Sequence, residues 1–326
     1  YSKALRVSLK EMQVTMQYKN VEEFVVDWHQ DLPEKDIDRL ISYNINDVES
    51  TEELLYRCKD LLELRIETEK DFGLPCLSLD RVNLGDRLLQ LKVMEKTGLN
   101  KKQLENMKSP ANYVDLEKVI FPWIKFESPI LQKKLTDMKN QHNVSPGRKG
   151  YINTFIFGEM KVTIGVGGIH GDNGTCIIKP NEDELLLDSD VNSLYPSLMR
   201  MYHLYPPKLK NVLGQIFPQI IDDRLEFKRT SQKNKNETYK YMLNGVSGKM
   251  QDETSWLFSP FTVMQVRING QLLLLMLAER LLKLGCKLYQ INTDGILYKL
   301  KKAKYKELQQ VLKEWEELTM LTLETE

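Results

Sequence analysis

Apolar positions along the chain change period several times, and each change predicts a different element. Ile37, Leu40, Ile41 and Ile45 recur at helical spacing after Pro33-Glu34. Residues 1–65 therefore read as helix, loop, helix, with Asp27-Trp28-His29 and Asp31-Leu32-Pro33 in the loop. Residues 66–150 are helical and charged, with breaks at Gly73-Leu74-Pro75, Ser109-Pro110 and Ser145-Pro146-Gly147. The period then shortens to two: Tyr151 to Val166 alternates and is rich in Thr, Ile, Phe and Val, which predicts strand. A glycine-rich stretch, 167–175, separates it from a second expected strand over 176–189 that contains Leu185-Leu186-Leu187. Residues 219–249 are polar and helical, with a hairpin expected at Lys233-Asn234-Lys235-Asn236. An apolar helix follows over 263–285 and stops at Gly285. Lys287 to Asn292 and Ile296 to Leu300 form a hairpin around Thr293-Asp294-Gly295, and a last helix runs from about Lys302 to Leu318.

Composition narrows the class. The 326 residues suffice for two or three domains, and 28% charged with 41% hydrophobic residues is ordinary for a globular protein. The net charge of +0 counts against a uniformly basic nucleic-acid binder, although an acidic site balanced by basic elements gives the same sum. The four cysteines, Cys58, Cys76, Cys176 and Cys286, lie far apart with no C-x-x-C pair, which suits reduced thiols in a cytoplasmic setting. The apolar run Leu272 to Leu277 is too short to cross a membrane, so no membrane partner is expected. The first residue is Tyr1, and the chain reads as an internal piece of a longer protein.

Candidate chemistry concentrates in three places. Asp190-Val191-Asn192-Ser193-Leu194-Tyr195-Pro196-Ser197 puts a carboxylate at a strand end, then a turn, a hydroxyl and an aromatic ring. Such an order suits a divalent metal, then a polyphosphate, then a sugar. Arg224 and Lys228 share a helix face, as do Lys240 and Asn244, so facing helices could grip phosphates. A solvated charged hairpin would look the same for Arg224 and Lys228 alone. Asp294 sits in the later hairpin turn, where an Asp-Gly pair is also an ordinary turn.

The pattern D-x-x-S-L-Y-P-S at Asp190 resembles the first polymerase motif of family B DNA polymerases. Lys240-Tyr241-Met242-Leu243-Asn244-Gly245-Val246-Ser247-Gly248 resembles that family's K-x-x-x-N-x-x-Y-G, with Ser247 where tyrosine is usual. Asn292-Thr293-Asp294-Gly295 resembles its D-T-D-S turn, with Asn292 and Gly295 as departures. Asp190, Lys240, Asn244 and Asp294 follow the family order, with gaps of 50, 4 and 50 residues. The resemblance implies an α+β fold. It would contain a polymerase palm with an antiparallel sheet and packed helices (151–218 and 251–326), and two-helix fingers (219–250). A helical connector (66–150) and the C-terminal helical part of an RNase H-like exonuclease domain (1–65) would precede them, with the thumb beyond residue 326.

Residue roles follow from the same resemblance. Asp190 and Asp294, with the carbonyl of Val191, would hold two Mg²⁺ ions, Mn²⁺ being a substitute. Lys240 would act in catalysis and bind nucleotide together with Ser193, Leu194, Tyr195, Arg224, Lys228 and Asn244. Tyr195 would lie under the sugar and favour deoxynucleotides. The loop Gly165-Val166-Gly167-Gly168-Ile169-His170-Gly171 is similar in position to the family's Y-x-G-G loop, without its tyrosine. Gly167, Gly168 and His170 there, with Thr293 and Arg267, would contact DNA, although Arg267 also suits a helix-capping salt bridge. Tyr43 and Asp47 resemble the third motif of the family's 3′–5′ exonuclease. The form of the glycine loop and of Gln265 to Gln271 resembles phage members, whose setting is the host bacterial cytoplasm. The gaps between motifs are too short for the insertions of protein-primed relatives, which implies a nucleic-acid primer. The expected partners are primer-template DNA and dNTPs, and the expected state is a monomer. Two rival readings are a polymerase-like scaffold weakened in catalysis, favoured by Asn292 and Ser247, and an unrelated metal hydrolase using Asp190 and Asp294.

Overall fold

A computed structural model describes residues 7–24, 29, 31–147 and 149–326. Asp27 and Trp28 of the expected loop lie outside the described residues. The N-terminal part is helical: α1 (Leu9–Thr15), α2 (Ile37–Arg57), α3 (Lys59–Phe72), α4 (Arg81–Thr97), α5 (Lys101–Glu105), α6 (Leu116–Val119) and α7 (Pro129–Lys139). Strands β1 (Ile152–Phe157), β2 (Met160–Gly165), β3 (His170–Asp172) and β4 (Glu184–Val191) follow, then helices α8 (Leu194–Met201), α9 (Lys210–Arg229), α10 (Lys233–Asn244), α11 (Val246–Lys249) and α12 (Pro260–Leu284). The chain closes with β5 (Lys287–Ile291), β6 (Gly295–Lys301), α13 (Tyr305–Thr319) and β7 (Leu323–Thr325).

The seven strands form one antiparallel sheet in the order β1-β2-β3-β5-β6-β4-β7. Paired residues point to the same face of a sheet, and neighbours along a strand to opposite faces. One such row runs Ser189, Ile296, Ile291, Gly171, Val162, Phe155, and it faces the core. The next positions in register, Asp190 with Gly295 and Asp188 with Leu297, therefore face away from it. The core under the sheet contains much of α12, Leu194 and Leu198 of α8, and Leu308 and Trp315 of α13. A second core joins α4, α9 and α10 to the start of α12, and Phe121, Tyr195 and Tyr202 pack on both.

Helix α12 is long and apolar enough to cross a membrane, yet it is the buried core helix of this fold. Its few polar residues complete main-chain hydrogen bonds elsewhere. Gln271 accepts from the Gly165 amide at 2.9 Å and donates to the Gly165 carbonyl at 2.8 Å, as a neighbouring strand would. Asn269 accepts from the Phe121 amide and donates to the Val119 carbonyl, both at 2.8 Å.

Two expectations need correction. Lys233 to Asn236 is the first turn of α10, not a hairpin; the chain reverses just before it, between α9 and α10. Lys233 pairs with Asp60 and Asn234 bonds Glu67, both on α3, so these polar residues are satisfied within a helix. The second strand begins only at Glu184, because 176–183 includes Pro180, which cannot donate to a ladder. The glycine-rich stretch instead contains the short strand β3. Helix α2 forms where the spacing of Ile37, Leu40, Ile41 and Ile45 predicts it, with Ile37, Ile41 and Ile45 exposed.

Replacing Gln271 with Leu would leave the Gly165 amide and carbonyl unpaired beneath the sheet. The expected loss is about 2–4 kcal/mol, read by urea denaturation; a change under about 0.5 kcal/mol would mean that these bonds add nothing.

Candidate metal and nucleotide site

The two expected metal-binding carboxylates lie at the same end of two neighbouring strands. Antiparallel pairing of β4 with β6 sets Asp190 opposite Gly295, the residue after Asp294. The Val191 amide donates to the Asp294 carbonyl at 2.7 Å, which locks the end of β4 to the turn. A Cβ on Gly295 would lie 1.6 Å from Oδ1 of Asp190. The glycine that departs from the expected serine is thus the floor on which the Asp190 carboxylate rests. Asn292 completes the turn through its amide, which donates to the Gly295 carbonyl at 2.8 Å.

Asp190 and Asp294 have company that sequence reasoning missed. Asp188 lies two residues before Asp190 on the same strand and so shares its face. Desolvation, then the charges of Asp190, Asp294 and Glu326, raise the Asp188 carboxyl above the ordinary range. Desolvation and the Asp190 charge raise Asp294 as well. On the other side of β4, β7 sets Glu324 opposite Asp190, and Glu326 exchanges main-chain hydrogen bonds with Asp188. The signal for Asp188 was legible, since a D-x-D spacing on a strand always aims both carboxylates one way. The glutamates became visible only through the pairing of β7.

Cationic and hydroxyl groups lie on the helical side. Ser193 precedes α8 in a left-handed conformation, φ 51° and ψ 55°, which is strained for a residue with a side chain. Arg224 of α9 donates to its hydroxyl at 3.0 Å, so two expected nucleotide-binding residues touch. Nε of Arg224 is buried without a hydrogen bond. Both line a cleft of about 270 Å³ with Asn192, Ser197 and Arg200. Lys240 pairs with Glu237 at 3.2 Å, while Asn244 and Lys228 are exposed. The Leu194 side chain is core, which leaves its amide at the helix N-terminus as its polar contribution.

Tyr195, in the first turn of α8, is partly buried against both cores, and burial raises its phenol above the usual range. Gly168 has φ 139°, and a Cβ there would sit 3.8 Å from the Thr293 hydroxyl and 3.9 Å from the Tyr195 hydroxyl. The glycine loop therefore lies against both the Asp294 turn and the aromatic ring. Gly167 is exposed beside it, and His170 on β3 is exposed on the carboxylate face.

Arg267, expected to contact DNA or to cap a helix through a salt bridge, also has a structural role. It is buried, and its guanidinium donates to Gln251 at 2.6 Å and to the carbonyls of Val166 and Ser247 at 3.3 Å each. It joins the glycine loop to α11 and the residues just after it from inside. Tyr43 and Asp47 share a face of α2, as their spacing requires. Lys10 of α1 reaches Asp47 at 2.5 Å and lies 4.3 Å from the Tyr43 ring. One group with metal-ligand proximity, Asp115, Glu117 and His142, is separate: Asp115 caps α6 through the Glu117 amide and bonds His142 at 3.3 Å.

No protein-family model and no curated protein sequence matches the chain. Among solved structures, the chain is similar to the family B DNA polymerase of the hyperthermophilic archaeon Pyrobaculum calidifontis. The TM-score is 0.51 at 14% identity, over 97% of this chain and 39% of the polymerase. The fold is that of part of a family B polymerase, and the chain spans about two-fifths of that relative's length.

The crowded carboxylates give a signed pH dependence. The folded state raises the carboxyl of Asp294, so it favours the protonated form. The stability tied to protonation is complete below the ordinary carboxylate range and is lost as pH rises through the raised value. Asp294→Asn should thus stabilise the metal-free protein at pH 7, by on the order of 1 kcal/mol or less after solvent screening. The gain should vanish at about pH 3. Thermal melts in chelator at both pH values check this; a destabilised variant at pH 7 contradicts it.

Proposed function

We propose that the chain is the palm and fingers of a template-directed DNA polymerase, which transfers a nucleotide from dNTP to a primer 3′-hydroxyl. One observation carries the reading: β4–β6 pairing and the Val191–Asp294 hydrogen bond bring Asp190 and the Asp294 turn to the same end of two neighbouring strands, next to Ser193, whose hydroxyl Arg224 contacts. The donor set suits a hard cation, because desolvation, then neighbouring carboxylate charge, raises the Asp188 and Asp294 carboxyls beside Asp190. Asp190 and Asp294, with the Val191 carbonyl, are the residues to hold two Mg²⁺ ions or Mn²⁺ in their place. Such ions supply the positive charge that activates the 3′-hydroxyl and offsets the leaving pyrophosphate.

The protein's own groups do the rest. Ser193, the first-turn amides at Leu194 and Tyr195, Arg224, Lys228, Lys240 and Asn244 bind the triphosphate. Tyr195, held against Gly168 and Thr293, sits under the sugar and excludes a 2′-hydroxyl. Gly167, Gly168, His170 and Thr293 face primer-template DNA. The described residues between Asp190 and Lys240 are taken up by α8, α9 and α10, which supports a nucleic-acid primer. The full-length protein would be a phage-like monomer working in a bacterial host's cytoplasm, with Tyr43 and Asp47 belonging to its proofreading exonuclease. Asn292 and Ser247 favour a second reading, a scaffold of weakened catalysis.

Primer extension by the full-length protein with Mg²⁺ separates the two. Asp294→Ala should lower kcat roughly a thousandfold, as loss of several kcal/mol of charge stabilisation implies. A wild-type protein that binds primer-template but does not extend it would favour the scaffold. In the same assay, Tyr195→Ala should raise ribonucleotide incorporation at least about tenfold, the scale of one lost steric contact; unchanged sugar discrimination removes Tyr195 from that role.

A further inference from the structure

Helix α4 belongs to the part of the chain that sequence reasoning took for a connector, yet it is seated on the finger helices. Gly85 is the point of closest approach: a Cβ there would lie 2.1 Å from the Tyr241 carbonyl oxygen and 2.9 Å from the Met242 nitrogen. Tyr241 immediately follows Lys240, and its carbonyl also accepts from the Gly245 amide at a long 3.3 Å. The contact thus falls on the helical turn that carries Lys240 and Asn244.

Polar contacts on either side of that point tie α4 to the segment after α10, and α3 to α10. The Lys249 ammonium donates to the Asn83 amide oxygen at 2.9 Å and lies 3.7 Å from Asp86. Asp86 also accepts from the Trp256 indole at 3.0 Å, and both Asp86 and Lys249 are largely buried. A buried carboxylate that loses its partner is costly, so this pair fixes the register of α4 against the residues after α10. Farther along, Thr68 of α3 and Thr238 of α10 share a buried hydroxyl contact at 3.0 Å.

We infer that α4 is a third wall of the nucleotide grip, and that Gly85 and Asp86 are positioning residues that set where Lys240 and Asn244 stand. The inference rests on the polymerase reading. A side chain at Gly85 forces α10 away from α4, because the obstacle is main chain rather than a side chain that can turn aside. The displacement moves the ammonium of Lys240 relative to Ser193 and Arg224. It leaves Asp190 and Asp294 in place, because they belong to the sheet.

The test compares Gly85→Ala, the milder Asp86→Asn and Val93→Ala in the full-length protein by steady-state primer extension. Val93 is buried on the far half of α4 and serves as a control for lost stability. Gly85→Ala should raise KM for dNTP about tenfold and Asp86→Asn about threefold, each with primer-template affinity changed less than twofold, the pattern of lost nucleotide binding. Val93→Ala should lower Tm without moving KM. Unchanged KM in Asp86→Asn, with Gly85→Ala either unchanged or unfolded, overturns the positioning role while the polymerase reading stands. An equal KM shift in Val93→Ala also overturns it. A wild-type protein that extends no primer overturns both.

Discussion

The close approach of the Asp190 carboxylate to Gly295 is the constraint around which the site is arranged. A glycine at the first position of β6 leaves room for it, the strand register sets β4 against that glycine, and the Val191–Asp294 hydrogen bond fixes the turn. Shifting β4 by one residue would carry Asp190 into the core and Ser189 out to solvent. The buried Ser189 hydroxyl, 2.9 Å from the Tyr298 hydroxyl and 2.8 Å from the Thr325 hydroxyl, opposes that slip. Charges held this close repel one another, and the fold tolerates the repulsion because its stability is generated elsewhere.

Much of it is generated around α12. A helix this apolar would be unremarkable as a core element, but three of its buried side chains also complete main-chain hydrogen bonds in distant segments. Gln271 finishes the end of β2, Asn269 holds 119–121, and Arg267 joins the glycine loop to the segment after α10. An unpaired buried amide or carbonyl is costly, so each such bond constrains the loop it serves. Through them one helix is tied to the end of β2, the glycine loop and α11.

The legible part of this arrangement was the part carried by local pattern. The apolar run and Gly285 bounded α12, and Thr293-Asp294-Gly295 marked its hairpin. The aspartates could be paired because their strands could be read. Elements fixed by distant partners were not legible. Lys233 to Asn236 looks like a turn until Asp60 and Glu67 are seen beside it. Arg267 looks like a surface cation, since nothing nearby in sequence announces the two carbonyls it serves. The α2 stripe has the spacing of a buried face and lies open among the described residues. Asp188 could have been found from strand geometry alone, while Gly85 gains meaning only when α10 is packed against it.

The central claim is that this sheet edge is a divalent-cation site shared by Asp190 and Asp294. Mn²⁺ binding, followed by electron paramagnetic resonance in the presence of dATP, tests it without relying on turnover. Bound Mn²⁺ in the wild type, lost on both Asp190→Asn and Asp294→Asn, is the predicted result. Undiminished Mn²⁺ binding in either variant would contradict the account.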